Sequence, residues 1–262
     1  SYSPDENNSL FYSFDKTISY DEFDVLSPYE KQQVLLQACV VDSDKANSSI
    51  QDMDIQKDSV DYEIVPLDGV SIEGDTINVA NDGNQIELRF TNQSAAEIYL
   101  YLDTINFENE DAISYSVSLQ GYKDDKAVSN LGCSYSAFTY YSHLYGGKSN
   151  WLLNLGYTEK NVNKIVITFN NSGTYSIKDI KLYARSYEDM VKNISGLKRV
   201  ADNVLISNNS ISCKVDLKQP ETIFTSVPYS FGWKVYDNGK LIDVTKTDIN
   251  RIVAMSFCEP RS

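Results

Sequence analysis

The stretch that decides the fold is Val227-Pro228-Tyr229-Ser230-Phe231-Gly232-Trp233-Lys234-Val235-Tyr236-Asp237-Asn238-Gly239-Lys240-Leu241-Ile242-Asp243-Val244. The residues before it, Thr222–Val227, are β-branched and aromatic, so they read as a strand that ends at Pro228. Ser230-Phe231-Gly232 is a bend, with Gly232 free of the Cβ that restricts other residues. Trp233–Tyr236 and Leu241–Val244 then flank Asn238-Gly239, a pair that tolerates the two positive φ angles of a type I′ turn. A strand, a bend and a tight hairpin within so few residues predict a β protein built from short antiparallel pieces.

Working outward, the same period-2 pattern fills the middle of the chain. Asp61–Pro66, Val70–Ile72, Thr76–Val79, Gln85–Phe90, Glu97–Asn106, Ile113–Gly121, Tyr135–Leu144, Trp151–Leu155, Lys164–Phe169 and Tyr175–Ala184 read as strands. Lys123–Asn130 reads as a turn region. Strands at this spacing, with polar turns and no helices between them, predict an antiparallel jelly-roll-like β-sandwich over residues 60–186. Val204–Ser207, Ile211–Leu217 and Arg251–Phe257 add a second, smaller β module over residues 187–262. The expected class is therefore mainly β, with one or two short helices. One helix opens at Ser27-Pro28-Tyr29-Glu30, where an N-cap Ser, a first-turn Pro and a capping-box Glu agree, and is expected to run to about Cys39. A second opens at Ser186-Tyr187-Glu188-Asp189. Residues 1–59 form a helical and linker segment, with Val41–Ser59 polar and loop-like.

Composition narrows the function. The 262 residues carry a formal charge of −14 and the sequence pI is about 4.5. A field of that sign repels nucleic acid, anionic lipid and any other polyanion, so no nucleic-acid partner is expected. Cys39, Cys133, Cys213 and Cys258 are far apart and show no Cys-x-x-Cys spacing, which speaks against a zinc knuckle. Buried free thiols are favoured for them over two disulfides. No apolar run reaches the ~18 residues of a membrane span, and the polar start Ser1-Tyr2-Ser3-Pro4 has no signal-peptide character.

Catalytic patterns are sparse. His143 is the sole histidine, so a nucleophile triad would have to use it, and nothing near it supports one. No phosphate-binding glycine loop occurs. No cofactor is expected, and a structural calcium ion, held by loop carboxylates such as Asp52, Asp54, Asp82 and Asp179, is the alternative. The 19 tyrosines point elsewhere. Tyr140, Tyr141, Tyr145, Trp151, Tyr229 and Trp233 are the candidate binding residues, since an aromatic face matches the apolar face of a pyranose. Core packing is the competing account, and is favoured for Trp233. The Tyr- and Gly-rich segment from Tyr140 to Trp151 is the first place to look.

Ser226-Val227-Pro228-Tyr229-Ser230-Phe231-Gly232-Trp233 through Asn238-Gly239-Lys240 resembles the Pro-Tyr…Gly-Trp…Asp-Gly-Lys signature of the YfhO-type bacterial membrane proteins, with Asn238 at the family's usual Asp. Tyr29-Glu30-Lys31-Gln32 and Gly173–Tyr183 resemble the same family, so the likeness spans most of the chain. It implies a multi-pass membrane protein of Gram-positive bacteria, similar to lipid-sugar-dependent glycosyltransferases that decorate polymers such as lipoteichoic acid. This chain would be the soluble extracytoplasmic region, beside its own membrane domain. The family's catalytic acid is expected on an early loop near the membrane segments, so no catalytic residue carries over and this region is expected not to be an enzyme. After the hairpin the family adds further strands; here the chain stops at Ser262, which predicts truncation at the last hairpin and an unpaired edge. The implied partners are a cell-surface glycan or a lipid-linked sugar. The alternatives are a stand-alone carbohydrate-binding module, a glycoside hydrolase and a purely structural scaffold.

Overall fold

A computed structural model describes residues 10–91, 95–109, 111–147, 149–159, 161–195, 197–199, 201–217, 221–228, 232–246 and 251–256. In chain order the elements are β1 (Phe11–Phe14), β2 (Thr17–Ser19), α1 (Tyr20–Asp24), α2 (Pro28–Val34), β3 (Cys39–Val41), β4 (Ser59–Val60), β5 (Tyr62–Pro66), β6 (Val70–Glu73), β7 (Thr76–Val79), β8 (Gln85–Phe90) and β9 (Ala96–Glu108). There follow β10 (Ser114–Lys123), β11 (Lys126–Phe138), β12 (Trp151–Thr158), β13 (Lys164–Phe169), β14 (Gly173–Ser186) and α3 (Tyr187–Ser195). The last are β15 (Lys198–Arg199), β16 (Ala201–Ile206), β17 (Ile211–Val215), β18 (Glu221–Pro228), β19 (Val235–Asp237), β20 (Lys240–Ile242), β21 (Val244–Lys246) and β22 (Arg251–Ser256). The chain divides into two compact units, residues 57–190 and residues 1–56 with 191–262.

The middle unit is the sandwich. One sheet has the order β11-β10-β13-β8-β5, the other β12-β9-β14-β7-β6, with β4 on the flank of β14. All their pairings are antiparallel. The chain switches sheet repeatedly, as a jelly roll does: β8 lies in the first sheet, β9 in the second, β10 and β11 in the first, β12 in the second, β13 in the first and β14 in the second. Period-2 alternation supplies the core. On β10 the side chains of Tyr115, Val117 and Leu119 turn inward while the intervening serines and Gln120 are left half-buried on the other face. Ile86, Leu88, Ile98, Leu100, Leu102, Ile165, Ile167, Phe169 and Leu182 complete one continuous apolar cluster between the sheets. Each fully buried aliphatic of this size contributes about 1.5–3 kcal/mol.

Two segments differ from expectation. Lys123–Asn130 is not a turn region: the turn is only Asp124-Asp125, with Asp124 at φ 53°, and β11 begins at Lys126. β11 is an edge strand, and a register shift opposite Gln120–Tyr122, with Asn130 at φ 61°, moves its inward set from Val128 to Leu131. The broken alternation hides the strand. Farther along, β11 stops at Phe138, and residues 139–147 and 149–150 form no strand before β12. Away from that segment, Gly156 (φ 113°) on β12 lets Asn130 of β11 come close: a Cβ there would lie 2.6 Å from the Asn130 carbonyl oxygen.

The second unit is made from both ends of the chain. Its main sheet has the order β15-β1-β18-β22-β21, all antiparallel. The boundaries expected at 59 and 187 separate the first and last segments, yet β1 pairs with β18 through Phe11↔Thr225 and Tyr12↔Phe224. The physical reason is that β1 finds its sheet partners only among strands of the C-terminal segment, and no local pattern announces them. Phe14 and Phe224 meet edge to face at 6.3 Å, and Cys39 and Val41 pack with Phe14. A second small cluster gathers Ile18, Phe23, Val34, Ala38, Val40 and Met53.

The capping box at α2 forms as the sequence requires: Ser27 Oγ accepts from the Glu30 amide at 3.3 Å, and the Glu30 carboxylate accepts from the Ser27 amide at 2.9 Å. The helix ends at Val34, however, not near Cys39. Cys39–Val41 is instead strand β3, parallel to β2, because Val40 and Val41 favour a strand. Helix α1, capped by Ser19, was not legible in the pattern and makes the third short helix. The hairpin read from Asn238-Gly239 is present, with φ of 47° and 83° and Tyr236 opposite Leu241.

Candidate functional site

The segment between β11 and β12 is built to hold aromatic rings outward. Thr139 anchors its start: its amide donates to Ile113 O at 3.0 Å and its hydroxyl to Ala112 O at 2.6 Å, and the side chain is buried. Ser142 and Tyr145 donate their amides to Thr139 O and Ser142 O, each at 3.0 Å, which makes successive tight turns. At the far end Ile105 N donates to Ser149 O at 2.9 Å and Thr104 N to Asn150 Oδ1 at 3.0 Å. Between these anchors the ring of Tyr140 is 80% exposed and that of Tyr141 53% exposed. Tyr140 meets Tyr141 at 6.1 Å and Tyr145 at 5.9 Å, both edge to face. Phe138, Leu144 and Ile113 are exposed in the same part of the fold.

Three of the six candidate residues therefore come together. Trp151 stands apart from them. It is half-buried against the sandwich core, with its ring 4.3 Å from that of Tyr135. Trp233 is half-buried in the other unit, just before β19. Tyr229 lies outside the described residues. His143 is exposed within the loop.

Sequence reasoning missed the layer beneath. Tyr115 and Tyr135 lie 3.2 Å apart through their hydroxyls, and their rings pack edge to face at 5.9 Å. Burial pushes both phenols up; at Tyr135 the hydrogen bond with Tyr115 adds to this and the Trp151 indole offsets it in part. Both therefore stay neutral across the physiological range and act as a rigid floor for the loop. Their positions on β10 and β11 showed in the alternation; their meeting across the pair did not.

The carboxylates considered for calcium are engaged with protein groups. Asp52 accepts from the Ser49 amide at 2.8 Å, Asp82 from the Ser172 amide at 2.6 Å, and Asp54 from Gln56. Asp179 lies 3.4 Å from Lys181. Among the described residues no three His, Cys, Asp or Glu side chains converge. Cys39, Cys133 and Cys213 are free thiols, each pushed up by burial; Cys258 lies outside the described residues.

Two open grooves lie on the sandwich away from the tyrosines. One, about 430 Å³, is lined by Ser71, Asn78 and Thr174 among others. The other, about 490 Å³, is lined by Asp61, Tyr62, Glu63 and Arg89 among others. A third polar cluster, where Tyr99 donates to Glu97 at 2.6 Å and Asn154 donates to Glu97 at 2.8 Å, offers little surface, since Tyr99 and the neighbouring Arg185 are buried.

Comparison with known proteins bears on the whole chain. A family model described as "Bacterial membrane protein YfhO" matches residues 2–254. No curated protein matches. Among solved structures, the C-terminal CBM6 of LamC, a marine laminarinase from Zobellia galactanivorans, is similar at 8% identity and a TM-score of 0.32, covering 47% of this chain and 99% of that one. A structure titled "BiXyn10A CBM1 APO" is similar at 9% identity and a TM-score of 0.31, covering 48% of this chain and 92% of that one. Among the described residues no helix is long and apolar enough to cross a membrane.

Proposed function

This chain belongs to the YfhO family of bacterial membrane proteins, and from that premise we propose that it is a non-catalytic, extracytoplasmic region that recognises a cell-surface glycan. The observation that carries this is the loop of Tyr140, Tyr141 and Tyr145, whose rings are held outward by backbone anchors rather than folded into the core. An exposed aromatic ring loses little conformational entropy on binding and offers its face to the apolar side of a sugar, with the phenol left to hydrogen-bond a hydroxyl. The ligand is a decorated polymer such as lipoteichoic acid, or the lipid-linked sugar that decorates it. The chain's charge of −14 repels a polyphosphate backbone, so the contact is with the neutral sugar. Glycosyl transfer belongs to the membrane domain that the family resemblance implies, and this region positions the acceptor or donor for it.

The test is calorimetric titration of the purified chain with glycosylated and unglycosylated lipoteichoic acid. Binding to the glycosylated polymer alone is expected. It should weaken about tenfold for each of Tyr140→Ala and Tyr141→Ala, the loss of roughly 1.4 kcal/mol per ring. No saturable binding, or binding indifferent to both substitutions, overturns the proposal. Release of reducing sugar by the purified chain overturns its non-catalytic part.

A further inference from the structure

The sheet β11-β10-β13-β8-β5 has an outer face whose polarity is divided. Its charged side chains gather at one end, where Glu87 meets Arg89 at 2.6 Å and Lys164 at 3.1 Å, and Lys164 meets Asp125 at 3.4 Å. At the other end β11 runs into Thr139 and the tyrosine loop, and there the outward residues are hydroxyls and amides. Register sets them in rows: Gln85, Thr168, Ser118 and Ser134 across four strands, then Ser116 beside Ser136, then Ser114 beside Phe138. Four serines facing one another across β10 and β11 forgo the β-branched and aromatic side chains that strands favour.

Three of these hydroxyls are oriented. Asn170, just past β13, donates its side-chain amide to Ser116 Oγ and Ser118 Oγ, both at 3.1 Å, and is itself pinned by its backbone amide, which donates to Ser116 O at 3.0 Å. Gln85 donates to Thr168 Oγ1 at 3.0 Å. A serine or threonine hydroxyl has one hydrogen to give and two lone pairs. Ser116, Ser118 and Thr168 each receive a hydrogen from an amide, so their own hydrogens remain to be given. Small side chains on paired strands also leave the surface flat. The rows extend about 14 Å along the strands, at the usual rise per residue.

Charge and continuity select the occupant. Charged residues make up 23% of the chain, yet these rows carry none, so no ion pair rewards a charged partner. Asp82 and Asp111 stand in the loops that border them, and the molecule as a whole carries −14, so an anion is repelled. A neutral chain of hydroxyls and ether oxygens accepts from the oriented hydroxyls and donates to their free lone pairs. Phe138, 42% exposed, ends the rows two positions before Tyr140, so the serine rows lead along β11 to the tyrosine rings.

We propose that Thr168, Ser116, Ser118, Ser134 and Ser136 continue the tyrosine site, and that its ligand is an uncharged oligosaccharide rather than a single sugar. One sugar stands against the rings of the loop, and the sugars that follow it lie over the serine rows. This rests on the glycan reading of Tyr140, Tyr141 and Tyr145.

Calorimetric titration of the whole chain with neutral gluco-, galacto- and manno-oligosaccharides, from disaccharide to hexasaccharide, tests it. In the series that binds, affinity should rise roughly tenfold or more from disaccharide to tetrasaccharide and then level off as the rows run out. Ser134→Val/Ser136→Val and Ser116→Ala/Ser118→Ala should each remove most of that gain. The valine pair should not lower the unfolding temperature, since valine favours a strand, and Ser134→Thr/Ser136→Thr should keep the gain. Tyr140→Ala should weaken every length by the same factor. Binding that Tyr140→Ala weakens but that is indifferent to length, or a gain with length that survives both serine double substitutions, overturns the inference and leaves the loop reading standing. So does an oligogalacturonide bound as tightly as its neutral counterpart. No binding anywhere in the panel, or binding unmoved by Tyr140→Ala, takes down the loop reading and this inference with it.

Discussion

The sandwich and the unit made from the chain ends bury apolar surface in different ways. The sandwich closes one cluster between two sheets, contributed by nearly every strand from β7 to β14. The other unit divides its apolar residues between two small clusters, one around Val34 and Phe23 and one around Phe14 and Val41, and leaves two hairpins with exposed faces. A shared core makes each residue's loss felt by many neighbours; a divided one limits the damage. The sandwich is therefore the rigid carrier of the tyrosine loop, and the end-built unit the more adaptable part.

The largest expected effect tests that contrast directly. Leu100→Ala, at the centre of the sandwich, should cost about 3–5 kcal/mol, whereas Val34→Ala in the smaller cluster should cost about 2 kcal/mol. Denaturant titrations giving equal costs would break the comparison. Next comes Gly156→Ala, expected to cost about 2–3 kcal/mol, because its φ of 113° and the nearby Asn130 carbonyl leave no room for a Cβ. Ser27→Ala removes the α2 cap and should cost about 1 kcal/mol, a loss confined to the end-built unit and visible as faster amide exchange in α2.

A smaller effect concerns acid. Burial raises the Glu87 carboxyl, but hydrogen bonds from Arg89 and Lys164 outweigh it and hold the group below its usual value. Lys164 approaches it at 3.1 Å. A carboxyl lowered in the folded state contributes stability above its unfolded value, and that contribution is lost as pH falls through the folded value. Glu87→Gln should therefore flatten the fall in sandwich stability below about pH 4.5, measured by thermal unfolding as a function of pH. Smallest of all, Tyr140→Ala should change stability by less than about 0.5 kcal/mol; a larger loss would mean that the ring supports the fold.

Legibility in the sequence followed the regularity of the local pattern. Gln85–Phe90 and Lys164–Phe169 were read with their observed ends, because alternation shows in a strand's own residues even where its partner is distant, as Leu88 is from Ile165. Ser27 and Asn238-Gly239 were read correctly because capping and turn chemistry act over four residues. What stayed hidden broke or lacked a local pattern. Lys126–Asn130 pairs with the preceding strand β10 across a register shift that hides its alternation, α2 yielded its last residues to a parallel strand pair, and β1 needed the distant β18. At the candidate site the three tyrosines were named from composition, while the Tyr115–Tyr135 floor required knowing which strands adjoin.

The pairing of β1 with β18 also has a history in time. Lys45 donates to Thr245 at 2.7 Å across 200 positions, and Phe11 must wait for Thr225. At the usual 5–20 residues per second, that wait is on the order of ten seconds or more. The sandwich, complete by residue 190, can finish folding within it. Each newly made molecule can thus pass through a stage in which its middle is native while its first strand lacks β18, and a prolonged pause in synthesis between positions 190 and 221 would extend that stage without changing a single contact of the finished protein.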